Sequence, residues 1–192
     1  MTTHKRRATD SPGEGPNAPD GADAGDYSVD AVDGVDAIVA QWGAVRPDLD
    51  TGAMAVYGRI YRIARLMGDQ QEKVYERGFG INRGDFDVLA TLRRSGEPYT
   101  LSPRELSAAL MLTTGGMTGR LDRLENAGLL RRAPDPHDRR GLRVTLTEEG
   151  FRIVDGAVEA GLHVQQRAMA ALTGREAAQL ADLLRRLLAA SE

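Results

Sequence analysis

The sequence predicts a mainly α-helical fold with one small β-hairpin wing, and three observations carry that prediction. Apolar residues recur at helical spacing in successive segments from Val35 to Leu188. Capping signals punctuate those segments, most clearly Ser102-Pro103-Arg104-Glu105 and Thr173-Gly174-Arg175-Glu176, where a hydroxyl and a glutamate three residues later close a capping box. Once only, after Gly128, the period changes to two: Leu142-Arg143-Val144-Thr145-Leu146 alternates apolar with polar.

Residues 1–28 are rich in Gly, Pro, Asp and Ala and nearly devoid of large apolar side chains. Such a tail buries too little surface to offset its ordering entropy and is expected to be disordered. Within 29–47, Val35, Ile38, Val39 and Trp42 make a short amphipathic helix that Arg46-Pro47 ends. About ten residues of helix are unstable alone in water, so this one must pack on something. Within 48–80, a helix from about Met54 to Glu76 carries Val56, Ile60, Ile63, Met67 and Val74 on one face, and Gly78-Phe79-Gly80 is read as its break. It is longer than a small core can cover, which suits a dimer interface.

Residues 81–146 hold the densest signals. A helix over about 83–94 follows an Asn82 cap and points Phe86, Leu89 and Leu92 inward. In the next helix Ser102 caps, Pro103 loses no hydrogen bond at the first helical position, and Leu106, Ala109 and Leu110 recur at helical spacing. A turn at Thr113-Thr114-Gly115-Gly116 leads to a helix over about Thr114 to Asn126, stopped by Gly128. Leu129-Leu130 opens a strand, Pro134 to Gly141 is irregular, and the alternating strand returns. Three helices and an arginine-tipped hairpin in this order make a winged helix-turn-helix domain. Residues 147–192 add a Thr147-capped helix to about Leu172 and a last helix with Ala177, Leu180, Leu184, Leu187 and Leu188, a helical dimerisation base.

In the helix from Thr114, Met117, Leu121 and Leu124 form the inward stripe, so Gly115, Thr118, Gly119 and Asp122 face away, toward a DNA major groove. The two glycines have a second reading as a loose helix start, at a cost of roughly 1.5–2 kcal/mol. The candidate DNA contacts are Thr113, Thr114, Gly115 and Thr118, with Arg139 and Arg140 of the hairpin tip placed for a minor groove. Asp138 is read as bracing a wing arginine. The net charge of −3 is no obstacle to binding DNA. Eight acidic residues lie in 1–36, whereas 115–145 holds seven arginines against four acids, so the working surface is basic.

These residues carry a resemblance. A capped helix, a helix ending in ENAGLL, a DxxDRRG turn and a strand ending in LTEEG are similar, over about Asp85 to Gly150, to the MarR family of bacterial regulators. The resemblance implies a homodimeric winged-helix protein that binds a pseudo-palindromic operator, typically as a repressor, and in many members is released by a small ligand. Within the family, QWGAVRPDLD (41–50), DFDVLATLRRSG (85–96) and LTTGGMTGRLDRLE resemble the urate-responsive PecS subgroup. There a tryptophan of the added helix, an aspartate of the FDVL segment, an arginine of the recognition helix and an arginine starting the wing are implicated in urate binding. The matching positions are Trp42, Asp87, Arg120 and Arg132.

Urate is a flat monoanion that an aromatic ring can stack on, an arginine fork can match and a carboxylate can accept from. Arg120 lies about 80° from the centre of the buried stripe, on the flank of its helix, where it could couple a pocket to helix orientation. Plainer readings stay open: Trp42 as an anchor, Asp87 with Arg120 as a structural ion pair, Arg132 on phosphate. So do another anionic or aromatic ligand, and an architectural DNA-binding protein with none.

Catalysis has no foothold in the sequence. There is no nucleophile elbow and no phosphate loop, and the three histidines are not at metal-ligand spacing, so neither an enzyme, a cofactor nor a metal is expected. Absence of cysteine excludes a thiol sensor. With neither a signal peptide nor an 18-residue apolar run, the expected location is the cytoplasm, with no membrane association.

Overall fold

A computed structural model describes residues 32–111, 114–136, 138 and 141–191, with the side chain at 114 excepted. Among these residues, seven helices and three short strands follow the order α1 (Gly34–Val45), α2 (Gly52–Phe79), α3 (Arg83–Arg94), β1 (Thr100–Leu101), α4 (Pro103–Ala109), α5 (Thr114–Asn126), β2 (Leu130–Pro134), β3 (Leu142–Leu146), α6 (Glu148–Met169) and α7 (Gly174–Ala189). None of the helices among these residues is long and apolar enough to cross a membrane.

The caps read from sequence set the helix starts. Ser102 Oγ accepts from the Glu105 amide at 3.2 Å while the Glu105 carboxylate accepts from the Ser102 amide at 2.7 Å. Thr173 and Glu176 repeat the box at α7, and Asn82 and Thr147 cap α3 and α6. A further box, Asp33 with Asp36, opens α1. Helix α2 does not break at Gly78; it runs on to Phe79, and Gly80, at φ 67°, supplies the left-handed cap. Helix α6 stops three residues short of Leu172.

The hairpin is part of a three-stranded antiparallel sheet of order β1-β3-β2. Thr100 pairs with Thr145 and Leu101 with Val144, and the two threonine hydroxyls bond at 2.9 Å. On the other side Leu130 faces Leu146 and Arg132 faces Val144. Two residues are too few for an alternation signal, so β1 was invisible in the sequence.

The core joins α3, α4, α5 and the sheet to α2 and α6. Val88, Leu89, Leu92, Leu106 and Val144 are fully enclosed, and Met117, Leu121 and Leu124, the inward stripe expected for α5, are at most 2% exposed. Tyr75 of α2 stacks on Phe86 of α3 with ring centroids 4.3 Å apart. Close approach needs glycine at α6: a Cβ at Gly150 would stand 1.9 Å from the Leu129 carbonyl oxygen. Helix α7 takes no part in the core, and none of its residues is buried.

Candidate nucleic-acid interface and the cavity behind it

With Met117, Leu121 and Leu124 committed inward, α5 presents Gly115, Thr118 and Gly119 to solvent. Beside them a cleft of about 840 Å³ separates α4 and α5 from the wing and is walled by Ser102, Arg104, Ser107, Thr118, Asp138 and Arg143. The wing base is tied to α4 through Arg143, whose guanidinium lies 3.6 Å from Glu105 and 3.9 Å from Asp135. Hydrogen bonds from the Ser102 amide and hydroxyl, aided by Arg143, hold the Glu105 carboxyl below the usual glutamate range. Thr113, Arg139 and Arg140, and the side chain of Thr114, lie outside the described residues.

Helix α5 is fastened from behind by α3. Arg120 Nη1 donates to the Gly84 carbonyl at 3.1 Å, and Arg123 Nη2 meets the buried Asp85 carboxylate at 2.8 Å. The approach is close: a Cβ on Gly84 would sit 2.7 Å from Arg120 Cζ. Arg120 thus points to the protein body, as its angular position suggested. Its bond goes to a backbone carbonyl, and Asp87 forms no ion pair within 4.0 Å among the described residues.

The far side of the same turn of α3 opens into a small cavity of about 190 Å³, bordered by Gln71, Tyr75, Arg83, Phe86, Asp87 and Gln165. It is smaller than the roughly 300–1,000 Å³ of drug-sized pockets. Burial pushes the Asp87 carboxyl above the ordinary aspartate range, against the opposing pull of Arg83, Arg120 and Arg94. Burial likewise raises the Tyr75 hydroxyl. Nothing local in the sequence marks Gln71 and Tyr75, since residues on α2 reach α3 only through tertiary packing, and Arg83 reads locally only as part of the start of α3.

The four positions matched to a ligand site do not converge within one chain. Asp87 borders the cavity and Arg120 lies within electrostatic range of it. Arg132, on β2, instead bonds Glu125 and Asp122 of α5. Trp42 sits on α1, 43% exposed, at the other end of α2. Val35 packs on Gly58, and Ile38 shares a groove with Met54, so α1 runs back antiparallel along α2 and Trp42 lies near the level of Gly52. From there to Gln71 is 19 helical residues, about 28 Å. Of the α1 stripe only Val35 is buried, and the helix is held electrostatically as well, by Arg59 on Asp33 at 2.9 Å and Asp36 at 2.6 Å.

Enclosed core, groove-facing helix and sheet-borne wing together define a winged helix-turn-helix DNA-binding protein. Residues 79–141 match the sequence profile of the MarR family. The chain is 40% identical over 150 residues to the HTH-type transcriptional regulator PecS of Dickeya dadantii (strain 3937), covering 78% of this chain and 90% of that protein. AbsC, a MarR family transcriptional regulator from Streptomyces coelicolor, superposes with a TM-score of 0.65 at 25% identity, over 73% of this chain and 94% of that one. A point mutant of E. coli MarR complexed with operator DNA does so with a TM-score of 0.56 at 26% identity, over 77% and 97%. The chain belongs to the MarR family of transcriptional regulators. It is a DNA-binding regulator and not an enzyme.

Proposed function

We propose that this regulator binds a pseudo-palindromic operator as a homodimer and is released from it by a small planar anion, urate in the first instance. One observation carries the ligand reading: the turn of α3 that fastens α5 through Gly84 and Asp85 also exposes Asp87 and Arg83 to a cavity on its other side. An anion that engages Arg83 and either displaces Asp87 or makes it take up a proton from water shifts this turn, and Arg120 and Arg123 pass the shift to the recognition helix. Coupling of this kind is reciprocal, so DNA weakens the ligand by the same factor.

The dimer reading rests on surface left uncovered. Leu180, Leu183, Leu184, Leu187 and Leu188 of α7 are 38–61% exposed, and an isolated 16-residue helix is marginal in water. A second copy covers this stripe together with Val56, Ile63 and Leu66 of α2. Two recognition helices then enter successive major grooves roughly 34 Å apart, and the DNA contacts are those read from the sequence: Thr113, Thr114, Gly115 and Thr118, with Arg139 and Arg140. In such a dimer Trp42, about 28 Å from the cavity of its own chain, reaches a ligand only from the second copy.

A duplex enriched by the full-length protein from a random pool supplies the test. Binding should be steeply salt-dependent, the scattering mass should be twice 20.7 kDa, and urate should release the duplex while producing a saturable change in the fluorescence of Trp42. Unchanged duplex binding and a flat, absorbance-corrected signal at millimolar urate would refute the ligand claim and leave DNA binding standing. That outcome favours the second reading, an architectural DNA-binding dimer. Arg59's two ion pairs, which give α1 a purely structural tie, are the observation on its side.

A further inference from the structure

We infer that Arg132 is a positioning residue for DNA binding: it locks the root of the wing to the recognition helix through Glu125 and Asp122 and acts on DNA only through that lock. The inference rests on the reading that α5 and the wing bind DNA together, and it assigns Arg132 a role separate from the ligand site.

The geometry is that of a fork closed on two carboxylates. Arg132 Nε and Nη2 both bond Glu125 Oε2, the former at 2.8 Å, while Nη1 meets Asp122 Oδ1 at 2.8 Å. The Glu125 carboxylate is used twice, since its other oxygen accepts the backbone amide of Arg132 at 2.9 Å. One glutamate of α5 therefore holds both the main chain and the side chain of β2's third residue. That residue pairs with Val144, itself fully buried, so the lock is built into the sheet and not into the wing's outer loop. Asp122 and Glu125 are one helical turn apart on α5, and a planar guanidinium spans both, whereas an ammonium, a point donor on a flexible stem, cannot match the pair in the same way. With a quarter of the Arg132 side chain exposed, the lock is open to water on one edge, and its value lies in orientation more than in fold stability.

The consequence is a reversal of sign. Acidic residues beside a DNA-binding helix repel phosphate, so neutralising them ordinarily tightens binding. Here Asp122 and Glu125 hold the wing against α5, and removing their charge frees it. Charge-assisted hydrogen bonds are the kind whose loss is felt, and the two halves of one lock should not contribute independently.

The experiment measures affinity for the duplex enriched by the wild-type protein, at fixed salt, for full-length dimeric variants with wild-type helix content. Glu125→Gln should bind about threefold to tenfold more weakly, Arg132→Ala about tenfold more weakly, and the triple variant Asp122→Asn/Glu125→Gln/Arg132→Ala no more weakly than Arg132→Ala alone. The urate midpoint of each should match wild type once scaled for DNA affinity. Tighter binding by Glu125→Gln, or effects that multiply across the cycle, overturns the inference and makes Arg132 a direct phosphate contact. Arg132→Lys decides the matter if the alanine variant fails to fold: a direct contact survives a lysine, whereas a two-carboxylate lock loses at least about threefold. A wild-type protein that enriches no duplex refutes the DNA-binding reading instead, so the two failures are distinct.

Discussion

At Asp87 three arginines pull the carboxyl toward ionisation and burial pulls harder the other way. Its acidity in the fold is therefore weaker than in the unfolded chain, and the sign of the stability effect follows. Above the raised value the folded protein carries a poorly solvated carboxylate and is less stable for it; as pH falls through that value the side chain takes up a proton and the cost disappears. Asp87→Asn, neutral at every pH, should melt above wild type at neutral pH. The difference should close on acidification, until both proteins are uncharged at this position. Calorimetry over pH checks it, and a variant that melts below wild type at neutral pH shows Asp87 to be a structural acid and not a ligand-facing one. The same substitution should blunt urate release while leaving duplex affinity nearly intact.

Two glycines show how the elements bear on one another. At Gly84 a methyl group would meet only the mobile end of Arg120, at 2.7 Å, whereas at Gly150 it would meet the Leu129 carbonyl, at 1.9 Å. A side chain can swing aside and a strand entry cannot. Gly84→Ala should leave the melting temperature nearly unchanged and alter the urate midpoint several-fold, because Arg120 loses its bond to α3. Gly150→Ala should cost about 3 kcal/mol, the upper end of overpacking, and roughly 6–12 °C in Tm. Equal, large losses of stability in both would show that α3 supports α5 without transmitting anything. Much of this element layer was legible beforehand. The capping boxes at Ser102 and Thr173, the inward stripe of α5 and the flank position of Arg120 follow from local chemistry and helical period. The partners of Arg123, Arg132 and Arg143 do not, since Asp85, Glu125 and Glu105 become neighbours only when helices and sheet have packed. Glu105 is the instructive case: read as a cap, it is both a cap and an anchor for the wing.

In the whole molecule, α2 sets the distances, because its 28 residues separate the α1 end from the α3 end. If Trp42 and Asp87 serve one ligand, they come from different copies, and mixed dimers test this directly. Consider a dimer of one Trp42→Ala subunit and one Asp87→Ala subunit. With the tryptophan supplied in trans, the first subunit's Asp87 meets the second subunit's Trp42 in one complete site, while both defects fall together in the other. With the tryptophan supplied in cis, each site carries one defect and none is complete. Titrated with urate, isolated mixed dimers should then bind half the wild-type number of ligands at wild-type affinity, although each parental homodimer binds weakly at both sites. Two weakened sites in the mixed dimer, or a Trp42→Ala homodimer that binds urate as wild type does, would place Trp42 outside the ligand site and leave it as an anchor for α1. The arrangement has a consequence for regulation: a site built from two subunits reports on dimer geometry as well as on ligand, and that geometry fixes the roughly 34 Å between recognition helices.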